Sequence, residues 1–233
     1  FGTGITMDIY AQVFAVASVI FTALGVALST FVIKSINNKL LDNKKEEREF
    51  VGFFFKRAIV FSLIGTGALY LLSYPITKLL LPGLVGEDFN TALRLFWIML
   101  PSLSFIVLTY TAMGLLQNKN KFFITSIVSL PFNLLIIGSM LLGVTDIYTL
   151  GAVTTLGWAA HFLFLFPSLK KEGYKLWSKT NQAEKLRSVN PMEILFILIS
   201  NMVFQFLFII DKSFASVNEG FPSAIHYSST LFT

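Results

Sequence analysis

Every cluster of lysine and arginine in this chain falls in an alternate gap between long apolar runs. Six runs, at about 9–33, 58–80, 95–116, 122–144, 147–169 and 193–210, carry few charges. Each approaches or exceeds the roughly 20 helical residues that cross a hydrocarbon core about 30 Å thick. Only helices or closed barrels satisfy their backbone in lipid. A barrel would show strands of about ten residues with alternating polarity, and these runs show no such alternation. The expected fold class is all-α: a polytopic transmembrane bundle with about six full spans and partial helices at both ends. The residue balance agrees, with 55% hydrophobic side chains and 25 phenylalanines.

The charges give the expected orientation. Of the 18 basic residues, 15 lie in or beside the gaps 34–57, 117–121 and 170–192, and only Lys78, Arg94 and Lys212 lie on the other side. The positive-inside rule places the basic side in the cytoplasm. The net charge of +5 therefore reads as topology, and no nucleic-acid partner is expected. The mixed-sign run from Asn43 to Glu49 reads as a solvated helix end. The segment 170–192 has the composition for a short interfacial helix with Tyr174, Leu176 and Trp177 towards lipid. The chain begins with Phe and enters a span within eight residues, so a piece of a longer protein is expected.

Several chemistries have no support. With no cysteine, thiol catalysis, disulfides and thiolate metal sites are excluded. Two histidines, without HExxH or clustered carboxylates, leave no expected metal site or cofactor. No catalytic constellation is visible, so the chain is expected to move or bind something rather than to be an enzyme.

Polar residues inside the spans are the candidate site, because each needs a partner or a wet cavity. Asp8, at the outer mouth of the first span, either caps free N–H groups or lines a cavity. Asn133 follows Pro131 by two residues and suits a bridge to the carbonyl that proline frees. His161 suits one interhelical hydrogen bond. Asn201 and Gln205 share a helix face and either join two helices or line a cavity. Asp211 and Lys212 end the last full span as an interfacial pair. Gly25 and Ser29 stand four apart, the spacing that lets another helix approach closely. Pro75, Pro101, Pro131 and Pro167 are expected kinks, a pattern suited to a transporter.

Several strings resemble the MurJ/MviN family of lipid II flippases, of the multidrug/oligosaccharidyl-lipid/polysaccharide (MOP) exporter superfamily. Phe1-Gly2-Thr3-Gly4 with Asp8 and Tyr10 is similar to the family's first-to-second helix junction. Ala27-Leu28-Ser29-Thr30-Phe31, Leu81-Pro82-Gly83-Leu84, Gly114-Leu115-Leu116-Gln117-Asn118 and the Asn133-led run follow in family order. Pro167-Ser168-Leu169-Lys170-Lys171-Glu172-Gly173-Tyr174, then Gln205, Asp211-Lys212, Ala215-Ser216 and Tyr227, complete the series. The resemblance implies the N-terminal part of a fourteen-helix transporter. Residues 1–169 would form the first lobe, 170–192 a cytoplasmic linker, and 193–233 the start of a second lobe.

The implied activity is alternating-access transfer of an undecaprenyl-pyrophosphate-linked peptidoglycan precursor across the bacterial cytoplasmic membrane. Its implied partners are that lipid-linked sugar pyrophosphate, the membrane lipids and a coupling monovalent ion. Its implied substrate-binding residues are Asp8, Ser29, Asn133, Gln205, Asp211 and Lys212. The chain departs from the family at Phe21 and near Thr230, where cavity cations are common. Two competing expectations follow: another exporter of the superfamily, for lipid-linked polysaccharide or drugs, and a non-transporting membrane scaffold.

Overall fold

The computed structural model describes residues 5–37 and 43–178, with isolated positions beyond and with the side chains of 19 and 20 excepted. Seven helices form there: α1 (Ile5–Asn37), α2 (Lys44–Leu80), α3 (Gly86–Met99), α4 (Ser102–Asn118), α5 (Phe122–Ser126), α6 (Leu130–Leu141) and α7 (Ile147–Lys171). No strand occurs among the described residues. Four helices are long and apolar enough to cross a membrane, with α5 and α6 together as one, and the bent pair α3–α4 supplies a fifth. These are the first five expected spans. The sixth, at 193–210, lies largely outside the described residues.

The ends follow local chemistry. Asn43 caps α2 by accepting from the Glu46 N–H at 3.0 Å. Asp146 caps α7, accepting from the Thr149 N–H and hydroxyl, each at 2.7 Å. Those bonds favour the charged carboxylate and hold its pKa below the ordinary value. Gly143 and Gly173 follow α6 and α7 at φ +81° and +82°, the left-handed geometry that glycine adopts without strain at a helix end.

The third span is not straight. α3 and α4 meet at Pro101 with a bend of 45°. Proline lacks the N–H that would serve the carbonyl four residues back, here that of Trp97. The Tyr70 hydroxyl donates to this carbonyl at 2.7 Å, and the Thr155 hydroxyl donates to the neighbouring Ile98 carbonyl at 2.9 Å. Donors on α2 and α7 thus satisfy the break from both sides, as a span in lipid requires. Pro131 sits in the first turn of α6, after the short α5. Pro75 and Pro167 remain inside continuous helices.

α4 is the central element, packed against α1, α2, α5 and α7, and α1 lies chiefly on α4 and α3. The outer half of α1 is buried on all sides from Met7 to Val13. α2 buries Phe50, Val51 and Phe53 to Phe55 in its first half, but beyond Ala58 it is inverted relative to a soluble helix. Ser62, Thr66, Ser73 and Thr77 face inward, whereas Phe61, Ile64, Leu71 and Leu79 are exposed. Lipid tails are as apolar as leucine, so small residues that allow close approach define the buried face. The inward hydroxyls of Ser62 and Ser73 donate to their own helix, to the Ile59 and Tyr70 carbonyls.

The small residues of α1 meet matching notches on α4. A Cβ on Gly25 would lie 3.0 Å from the Tyr110 ring, and one on Gly114 would overlap the Ser29 hydroxyl. The Gly25/Ser29 spacing therefore does the work expected of it.

The three basic gaps converge on one end of the molecule. Glu47 pairs with Lys119 at 2.8 Å, Lys121 with Glu172 at 3.4 Å, and Arg48 Nε donates to the Glu172 carbonyl at 3.1 Å. The Asn37 and Asn118 amides are 3.2 Å apart and bonded. A cysteine introduced at Glu87 is expected to react with an impermeant maleimide on intact cells, and one at Lys171 only after permeabilisation. The opposite pattern would invert the topology.

One expectation is corrected. No helix forms from Glu172 to Ser178. Tyr174 is buried and donates to Glu47, and Leu176 packs on the core. Only Trp177 of that trio is exposed. The Gly173 turn directs the chain back over the start of α2, which places Tyr174 beside Glu47.

Candidate functional site

Among the described residues, the implied substrate-binding residues Asp8, Ser29 and Asn133 are not brought together. Asp8 is buried in the first turn of α1, at 3% exposure. Ser29 lies on the same continuous helix, roughly 30 Å away at 1.5 Å per residue, where it fills the notch at Gly114. Asn133 is exposed on α6. Gln205, Asp211 and Lys212, like Asn201, lie outside the described residues.

Around Asp8 the outer half of α1 carries further polarity. Tyr10 shares a 2.9 Å hydrogen bond with Thr154 of α7, and Thr154 also donates to the Leu150 carbonyl. Gln12 is 1% exposed, and its Oε1 has no hydrogen-bond partner among the described residues. A buried acceptor without a donor is costly in a dry interior, so this end of α1 is built for more than packing.

His161 does not make the expected interhelical hydrogen bond in good geometry. Its ring sits among aromatics, 4.9 Å from Trp158 and 5.3 Å from Phe132.

Sequence reasoning missed a row on α1. Phe14, Ser18, Thr22, Val26, Thr30 and Lys34 recur every four residues, and all are half-buried or exposed, as are Leu24, Leu28 and Ile33 between them. At about 3.6 residues per turn each step of four turns about 40°, so the row winds around α1 and only neighbouring members such as Thr30 and Lys34 share a face. The Ser18 and Thr30 hydroxyls donate to the Ala15 and Val26 carbonyls at 3.2 and 2.9 Å. Their remaining acceptor capacity and Lys34 face outward from this part of the bundle. Phe21, by contrast, is fully buried in the core.

The basic end carries a latch. Glu47 accepts from both Lys119 and the Tyr174 hydroxyl, joining α2, the α4–α5 turn and the segment after α7. Burial first, then the Glu47 bond and charge, raise the Tyr174 pKa. The phenol therefore stays a donor at neutral pH. This contribution to stability is complete below the ordinary tyrosine pKa of 10.0 and is lost as pH rises above it. Glu47→Gln is expected to cost about 1–2 kcal/mol, between exposed and buried pairs, read as a lower thermal midpoint in detergent.

The comparisons agree on architecture. Residues 1–233 match the family described as lipid II flippase MurJ. An inward-facing multidrug resistance MATE family transporter of the MOP superfamily superposes with a TM-score of 0.69 at 16% identity, covering 97% of this chain and 53% of that one. A second MATE structure, in complex with MaD3S, gives a TM-score of 0.61 at 17% identity, covering 92% of this chain and 48% of that one. The chain thus spans about half the length of the solved structures it resembles. None of the curated proteins matches it in sequence.

Proposed function

The chain belongs to the lipid II flippase MurJ family, and from that premise we propose that it is the N-terminal part of a flippase, with residues 1–169 as the first lobe, 170–192 a cytoplasmic linker and 193–233 the start of the second. The full protein would carry an undecaprenyl-pyrophosphate-linked peptidoglycan precursor across the bacterial cytoplasmic membrane. The observation that carries this proposal is the family match over all 233 residues. The MATE-like fold supports an alternating-access mechanism, in which two helical lobes rock about a central cavity while the lipid tail stays in the bilayer.

Within that mechanism the end of α1 at Thr30 and Lys34, both exposed, would line the path. Lys34, at its cytoplasmic end, would attract the pyrophosphate, since a cation in a poorly solvated cavity holds phosphate strongly. The Thr30 hydroxyl would exchange hydrogen bonds with the passing headgroup. Asp8 would act at the outer mouth, in gating or with a coupling monovalent ion. Asn133, Gln205, Asp211 and Lys212 remain proposed contributors from other helices. Ser29, seated against Gly114, is proposed to act through packing.

The test is complementation in a flippase-depleted bacterial strain. Full-length protein is expected to restore precursor at the outer leaflet. Lys34→Gln should restore it less than Lys78→Gln, which removes a cation from the other end. Equal rescue by the two variants would remove Lys34 from the path. Failure of the wild-type protein to rescue, together with efflux of a cationic drug, would favour the drug-exporter alternative.

A further inference from the structure

We propose that a pocket at the end opposite the basic gaps, around the Pro101 bend, holds the phosphate of an outer-leaflet phospholipid. The leaflet follows from the orientation expected from the loop charges, and the site is independent of what the protein transports. The pocket has a volume of about 530 Å³ and is lined by Tyr70, Arg94, Trp97, Ile98, Pro101 and Tyr148. Arg94 and the Tyr148 hydroxyl have no hydrogen-bond or ion-pair partner among the described residues. None of the lining residues is a carboxylate. Two unspent donors, one of them a guanidinium, suit a phosphate.

The aromatic walls are fixed from inside the protein. The Tyr70 hydroxyl donates to the Trp97 carbonyl, and the Trp97 indole N–H donates to the Ser73 hydroxyl, each at 2.7 Å. The carbonyl that anchors Tyr70 is the one that Pro101 leaves free, so the bend builds the wall. The polar atoms of both side chains are engaged, while the rings themselves are 39% and 42% exposed.

Depth commits the pocket to a lipid. Tyr148 is the second residue of α7, next but one to Asp146, whose exposed carboxylate marks the water side. The exposed face of α2 runs through Ile64, Gly67, Ala68 and Leu71 up to the pocket, and it is apolar throughout. Charged and lipid-facing surfaces therefore meet at this level, where exposed tyrosine and tryptophan collect. α2 continues to Leu80, about 15 Å past Tyr70. Lys78, Glu87 and Asp88 thus stand in the water beyond. Acyl chains would lie along the α2 face below Leu71.

The experiment titrates purified full-length protein in neutral detergent and follows the thermal midpoint. Dioctanoyl phosphatidylglycerol is expected to raise it. Dioctanoyl glycerol, which has the chains without the phosphate, and glycerol phosphate, which has the phosphate without the chains, are not. Arg94→Gln should raise the half-effective concentration about fivefold, the loss of one cation near a membrane surface. Lys78→Gln, which removes a cation from the same end outside the pocket, should leave it unchanged. An equal effect of either fragment, an unshifted Arg94→Gln, or an equal shift in Lys78→Gln would each overturn the proposal.

A second readout tests the depth. In a Trp158→Phe/Trp177→Phe background, Trp97 is the one tryptophan left. In vesicles, phosphatidylglycerol brominated near the headgroup end of its chains should quench it more than phosphatidylglycerol brominated near the methyl end. Equal or stronger quenching from the methyl end would place the pocket too deep and overturn the proposal.

Discussion

Phe21→Arg is expected to remove most of the folded protein from the membrane. Family resemblance places a cation at this position, yet Phe21 is fully buried in the apolar core. An arginine there would be an uncompensated buried charge, which costs about 3–5 kcal/mol against a total stability of about 5–15 kcal/mol. Phe21→Leu, which leaves only a cavity, should retain most of the yield. The monodisperse fraction of full-length protein by size-exclusion chromatography checks both. A wild-type yield for Phe21→Arg would mean that the position opens onto water.

Gly114→Leu is expected to separate α1 from α4. Even a methyl group at Gly114 would overlap the Ser29 hydroxyl and approach Ile33 Cδ1 to 2.9 Å. Overpacking of this kind costs about 1–3 kcal/mol for small additions. Gly114→Ala should therefore lower the thermal midpoint, and Gly114→Leu should lower it further. Ser29→Gly should restore part of the loss in the Gly114→Ala background, because the two positions share one contact. If the paired change does no better than Gly114→Ala alone, the α1–α4 seam does not run through these residues.

The first five spans and the gathering of the basic gaps at one end were legible because both follow from bulk properties. Apolar length marks a helix that crosses lipid, and lysine placement marks the loops that meet at Glu47 and Glu172. The bend at Pro101 was legible for the same kind of reason, since a missing N–H has a fixed consequence. Its repair by Tyr70 and Thr155 was not, because those donors come from other helices.

The sequence was weakest on which face of a helix looks inward. In a soluble protein hydrophobicity answers that question. In lipid it does not, and α2 buries Ser62, Thr66, Ser73 and Thr77 while exposing Phe61 and Leu71. The same blindness hid the exposure of Thr30 and Lys34 and the burial of Phe21, which stands where the family commonly has a cavity cation. Tyr174 was misplaced for a related reason. Its amphipathic ring suits an interface, but the Gly173 turn and the Glu47 carboxylate draw it into the protein.

The central claim is that this lobe belongs to a protein that turns over a lipid-linked pyrophosphate. The most direct measurement is transbilayer movement in vesicles containing the purified full-length protein, with a fluorescent polyprenyl-pyrophosphate-linked sugar on one leaflet. The account predicts protein-dependent exchange of this lipid, slowed by Lys34→Gln, with no exchange of a fluorescent phosphatidylcholine. Vesicles that move neither lipid, or that move both at the same rate, would contradict it.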